Sequence, residues 1–105
     1  MKQEIEAQNS LDNGNPTGGW ARGTGIDIRW QDGPLGRGDE RNRPNGAFIE
    51  GVLEAARQRL VFFQSSKFAC RENAIALTKI EEALHWLDHR TRDRETRQVE
   101  GTHSV

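Results

Sequence analysis

Phe63, Arg71, Asn73 and Arg90 are the side chains of this sequence best suited to holding a small, nucleotide-sized anion. A phenyl ring stacks on an unpaired base. A carboxamide offers donor and acceptor together and matches the edge of adenine. A guanidinium grips phosphate oxygens at two points. Each residue also has a purely structural use. Phe63 suits a core, Asn73 a helix cap, and Arg90 the C-terminal half of a helix, where a cation meets the macrodipole. Residue type and spacing leave both readings open.

A second cluster is Arg90, Arg92, Arg94 and Arg97, with Asp93 and Glu95 between them. It reads as an anion site or as an ion-paired helix end, and the interleaved acids favour the ion-paired end for Arg94 and Arg97. Arg92 fits either. A third pattern is Glu82-x-x-His85-x-x-x-His89. Glu-x-x-His serves di-iron bundles, and His at i and i+4 serves zinc. A di-iron centre needs more inward carboxylates, and the other helix offers only Glu50 and Glu54. No metal and no cofactor are therefore expected. Catalytic machinery is also wanting: Cys70 has no evident base, and the phosphate-loop pattern ending in Gly-Lys is absent. The chain is expected to bind rather than to turn over.

The frame for these residues is small. The chain has 105 residues, 33% of them hydrophobic and 30% charged, which suits one modest domain that gains from oligomerisation. Its net charge of −1 disfavours a general nucleic-acid coat. Of 15 basic residues, 12 are Arg, the planar fork that suits carboxylates and phosphates. The single cysteine excludes an internal disulfide and fits a reducing compartment. With no leader pattern and no long apolar run, the expected location is the cytoplasm, with no membrane partner.

Along the chain, residues 1–24 are rich in Gly, Asn, Gln and Glu, and read as a flexible arm with Trp20 as an anchor. Residues 25–105 read as one domain. Ile26-Asp27-Ile28-Arg29-Trp30-Gln31 alternates like a half-buried strand, and strands are expected over about 26–37. Asn45 is a good N-cap for a helix over about 46–64. Its apolar face is Ile49, Val52, Leu53, Ala56, Leu60 and Phe63, flanked by Phe48, Ala55 and Phe62. A second helix is expected over about 70–97, with Leu77, Ile80, Leu84 and Leu87 on its core face and Ile75 and Trp86 well away from it. Two helices with a short link make an antiparallel hairpin, and the surplus apolar surface calls for a partner chain. The polar tail 98–105 is expected to fray unless it docks.

Asn73 and Arg90 lie seventeen residues apart, about 25 Å along a straight helix. One small ligand does not reach both within a chain. Phe63 and Asn73 share one end of the hairpin, so Arg90 must come from a neighbouring copy. That expects a dimer with antiparallel second helices and two equivalent sites.

At these residues the chain resembles a known family. Phe68-Ala69-Cys70-Arg71-Glu72-Asn73-Ala74, the run Leu77 to Leu87, and Arg90-Thr91-Arg92-Asp93-Arg94-Glu95 with Val99-Glu100-Gly101-Thr102-His103 resemble the phage Thoeris anti-defence proteins. Ile26 to Pro34 is similar to the family's N-terminal strand. The resemblance covers about residues 25–105. It implies an α+β fold, a small N-terminal antiparallel sheet followed by a long two-helix hairpin that oligomerises through the helices. It implies a sponge, a non-enzymatic protein that sequesters cyclic ADP-ribose isomers without cleaving them. Relatives that act against CBASS also capture cyclic di- and trinucleotides at separate sites. Homodimers, and hexamers built as trimers of dimers, are implied, acting in the cytoplasm of the infected bacterial host. The implied pocket uses Phe63, Asn73 and Arg90, with Arg29 as a fourth contact; Arg71 and Arg92 are candidates from the residue reading. The segment 36–45, with Arg37, Arg41 and Arg43, departs from the family pattern and reads as a second anion site or plain loop. The competing expectations are an enzyme that degrades the same signals, a small helical nucleic-acid-binding module, and an oligomer with no ligand.

Overall fold

The computed structural model describes residues 3–36 and 38–97. Three strands come first, β1 (Glu6–Asp12), β2 (Asn15–Gly23) and β3 (Ile26–Arg29). They form one antiparallel sheet in the order β1-β2-β3. A short 3-10 turn, Gly38–Glu40, follows, and then two helices, α1 (Ile49–Gln64) and α2 (Arg71–Thr96). The architecture is α+β, as expected. The chain divides into two compact units, one holding the sheet up to Phe48 and one spanning Ile49–Arg97.

The largest correction concerns the first 24 residues, expected as a flexible arm. Residues 6–23 are instead the first two strands. The breaker Asn13-Gly14 is the cause. It is the whole loop between β1 and β2, and both residues have positive φ, 51° and 80°. A two-residue hairpin of the primed type requires that geometry, and Asn-Gly supplies it at least cost. Thr24-Gly25 closes the second hairpin differently, with positive φ at Gly25, 72°, but not at Thr24. Facing rows are set by register. Gln8, Trp20 and Arg29 lie opposite one another across the sheet, and so do Glu6, Arg22 and Asp27.

The strand expected over 26–37 ends at Arg29. Trp30 then bridges in parallel to Ala47. The Ala47 N–H donates to the Arg29 carbonyl at 2.8 Å, and the Gln31 N–H donates to the Ala47 carbonyl at 2.9 Å. Gly46 permits this approach, because a Cβ there would sit 2.6 Å from the Trp30 carbonyl. Asn45 is not an N-cap, since α1 starts at Ile49 rather than 46. Its side chain ties the segment after β3. The Asp32 N–H donates to Asn45 Oδ1 at 2.8 Å, and Asn45 Nδ2 donates to the Asp32 carbonyl at 3.1 Å. Of the rest of the range 26–37 in which strands are expected, Leu35 and Gly36 form none, and Arg37 lies outside the described residues. So do the tail 98–105 and the motif Val99 to His103.

In the helical unit, Leu77, Ile80, Leu84 and Leu87 of α2 are half-buried, as their spacing predicts. Val52, Leu53, Leu60 and Phe63 of α1 are too, whereas Ile49 and Ala56 are exposed. Arg57 links the helices. It grips both carboxylate oxygens of Glu54 at 2.8 and 2.9 Å and reaches Glu81 of α2 at 3.9 Å. Hydrogen bonds from Arg57 and then Gln58 hold the Glu54 carboxyl at about 2, below its usual 4.5. No side chain among the described residues is fully buried, and Phe48, Phe62, Ile75 and Trp86 remain exposed.

Candidate functional site

The tip of the helical hairpin is held by side-chain to backbone hydrogen bonds. Gln64 closes α1 and uses its whole carboxamide on the backbone of Cys70: Nε2 donates to the Cys70 carbonyl at 3.1 Å, and the Cys70 N–H donates to Oε1 at 3.0 Å. Ser66 Oγ donates to the Phe63 carbonyl at 2.6 Å and accepts from the Phe68 N–H at 3.1 Å. The five-residue link from Ser65 to Ala69 is thereby fixed at both ends. Cys70 is extended and opens α2, and its carbonyl accepts the first helical bond from Ala74. These contacts fix the end of the hairpin at which Phe63 lies in the last turn of α1 and Asn73 in the first turn of α2, both half-buried.

Aromatic rings gather at this tip. Phe62 and Phe63 meet with centroids 5.9 Å apart, and the Arg59 guanidinium lies over both rings, 4.9 Å from that of Phe63. Phe68 is 62% exposed, with the Lys67 ammonium over it at 5.4 Å. Exposed rings and stacked cations are a surface for a base and its phosphates. Arg59, Phe68 and the positioning residue Gln64 were missed by sequence reasoning. The concentration of three Phe within seven residues was the available signal.

The other candidates are distributed. Arg71 opens α2, but residues two apart on a helix do not face together. Its side chain lines a shallow groove with Ala74, Ile75, Thr78 and Lys79, while Asn73 lies on the half-buried stripe. Arg92 is spent on Asp88 at 2.9 Å. Arg97 pairs with Asp93 at 3.1 Å, as the interleaved acids imply. Arg90 is exposed and makes no hydrogen bond or ion pair among the described residues. Counting eight residues along each helix from the Arg57–Glu81 contact brings the start of α1 level with His89. Arg90 therefore lies where α2 begins to run past α1. One turn before it, Trp86 is 66% exposed and has His85 and His89 rings 5.7 Å to either side. Those histidines edge a ring, and among the described residues no three His, Cys, Asp or Glu groups converge on a metal position. Arg29 belongs to the sheet unit, opposite Trp20.

Within the helical unit, then, Phe63 and Asn73 lie at the same end of the hairpin and Arg90 lies towards the far end of α2. No described helix is long and apolar enough to cross a membrane.

Comparison with known proteins supplies the lineage. The profile of the Acb2/Tad1 hairpin domain matches residues 23–92, which run from the end of β2 into the last third of α2. A protein of Bacillus phage SBSphiJ7 named Thoeris anti-defense 1 is 47% identical over 76 residues, covering 72% of this chain and 51% of its own length. The chain thus spans about half the length of that relative. With a matching profile over most of its length and this level of identity, the chain belongs to the Acb2/Tad1 hairpin-domain family.

Proposed function

We propose that this chain is a phage anti-defence protein that opposes Thoeris immunity by sequestering its cyclic ADP-ribose-type signal in the cytoplasm of the infected bacterium. It holds the signal without cleaving it. The observation that carries this reading is the pairing of a pre-set Phe63–Asn73 tip with an exposed, uncompensated Arg90 at the opposite end of the same helix. Phe63 stacks on the adenine, Asn73 reads a base or ribose edge, and Arg90 grips the pyrophosphate. The separation along α2 requires that Arg90 come from a second copy. Two α2 helices running antiparallel satisfy this twice over by two-fold symmetry. The exposed Ile75 and Trp86 then gain a cover. Arg71, at the start of α2, is a supporting anion contact in the assembled protein. Trimers of such dimers provide further surfaces for cyclic di- and trinucleotides at separate sites, as in the anti-CBASS role.

A sponge must be tight, and a tip already fixed by Gln64 lowers the ordering cost of binding. The test is calorimetry against a panel of cyclic ADP-ribose isomers, cyclic dinucleotides and cyclic trinucleotides. After binding, the protein is heat-denatured and the ligand is recovered and identified. A saturable heat with one cyclic ADP-ribose isomer, and return of that isomer intact, is the expected result. Recovery of cleaved ligand overturns the sponge in favour of a degrading enzyme. Steeply salt-dependent binding of DNA or RNA, with no cyclic-nucleotide heat, makes the chain a nucleic-acid module instead.

A further inference from the structure

The sheet unit carries a concave site of its own, about 420 Å³, lined by Gln8, Trp20, Arg22, Arg29, Trp30 and Asp32 among others. We propose that the β1–β2 ribbon turns the sheet face into a second binding site, one that takes a single purine nucleoside phosphate. This goes beyond the helical pocket, and its wall is built partly from residues outside the family match. The family match begins at residue 23. Gln8, Trp20 and Arg22 all precede that point, so half of the named wall belongs to the part of the chain outside the match.

The register puts these groups together. Gln8, Trp20 and Arg29 form one cross-strand row, so their side chains rise from the same face. Arg22, two residues on, shares that face, and its guanidinium lies 4.5 Å over the Trp20 ring. Arg22 is held by Asp27 at 3.2 Å, which keeps it stacked. Arg29 has no ion pair or hydrogen bond from its side chain among the described residues, and is the cation left for an anion. At the floor, the Asp32 backbone is bound twice by the Asn45 carboxamide, and the Asn45 N–H donates to Gln31 Oε1 at 2.8 Å. The Asp32 carboxylate, next to Gly18, is left to accept from ribose hydroxyls or a base amino group.

The Trp20 indole, one uncompensated guanidinium and one free carboxylate match a base, a phosphate and a sugar in turn. The volume falls in the range of about 300–1,000 Å³ usual for small-molecule sites. A net charge of −1 and a cavity of this volume favour one nucleotide over a strand of nucleic acid.

The experiment is calorimetry of the full chain with adenosine 5′-monophosphate, alongside ribose 5-phosphate and a short single-stranded oligoadenylate. Saturable binding of the nucleotide is expected, with ribose 5-phosphate weaker by about tenfold for want of the stacked base. Arg29→Gln and Trp20→Ala should each weaken the nucleotide by about tenfold. Far-ultraviolet circular dichroism accompanies each variant. Because Trp20→Ala is the variant more prone to unfold the sheet, Arg29→Gln carries the test on its own if that happens. The nucleotide should still bind when Arg90→Ala has removed the anion contact of the helical pocket. The proposal is overturned by no saturable heat, by unchanged affinity in folded Arg29→Gln, by loss of binding in Arg90→Ala, or by oligoadenylate binding more tightly per site than the mononucleotide.

Discussion

Arg90 and Arg92 sit two positions apart on one helix and have opposite expected roles. Arg92 is committed to Asp88, whereas Arg90 is exposed and uncompensated. Arg90→Ala should weaken signal binding by about 2 kcal/mol or more, roughly thirtyfold, because a phosphate loses its two-point partner. Asn73→Ala should cost a similar amount if a base edge is left unpaired. Arg92→Ala should cost about fivefold or less, the scale of an exposed helix pair. Titration calorimetry on the three variants checks this, and an unchanged melting temperature shows that they remain folded. Equal losses at positions 90 and 92 would instead indicate a diffuse arginine cluster. Gln64 makes a different kind of prediction. Gln64→Ala removes two hydrogen bonds that fix the tip, each worth about 1 kcal/mol. Signal affinity should fall while helix content measured by circular dichroism stays near that of the parent protein. Affinity equal to the parent's would mean that the tip is set by something else.

The helices were legible in the sequence because their apolar spacing is strong. Leu77, Ile80, Leu84 and Leu87 stand where a period of 3.6 puts them, and both helix ends fall within a few residues of the expectation. The ribbon was hidden for a physical reason. β1 reads Glu-Ala-Gln-Asn-Ser-Leu-Asp, with almost none of the branched or aromatic residues that mark strands, and every residue in it is exposed. Its existence rests on Asn13-Gly14, a dipeptide that serves equally as a generic breaker and as a hairpin loop. Gly14→Val should therefore unravel the ribbon, shown by loss of the β1–β2 amide protection in hydrogen exchange, with the helices retained. Asn45 misled in the opposite direction: an excellent cap by type, it serves a turn thirteen residues upstream. Of the site, Phe63, Asn73 and Arg90 were suggested by residue type, but Arg59 and Gln64 act through contacts that only the folded tip displays. The Glu54–Arg57–Glu81 clamp adds a pH dependence. A carboxyl held below its ordinary value stabilises the fold above that ordinary value and loses the contribution as pH falls through the folded one. For Glu54 the window runs from 4.5 down to about 2. Between pH 5 and pH 2 the parent protein should lose more melting temperature than Glu54→Gln does. Equal losses would show that the clamp contributes nothing in solution.

At the scale of the whole molecule, the described residues contain no fully buried side chain, while Phe48, Phe62, Ile75 and Trp86 stay in water. Apolar surface left uncovered on so small a chain favours assembly. Trp86→Asp should shift the protein towards monomer, seen by light scattering across a dilution series, and should weaken signal binding with it. A variant that becomes monomeric yet binds as the parent does would place the whole site within one copy. The most direct test of the shared pocket mixes two inactive variants, Asn73→Ala and Arg90→Ala, after subunit exchange, and titrates the mixture with the signal isomer that binds the parent protein. Each mixed dimer rebuilds one pocket from the intact Asn73 of one copy and the intact Arg90 of the other. The account predicts recovery of about a quarter of the parental sites at parental affinity. No recovery, with exchange verified by mass-tagged subunits, would contradict it.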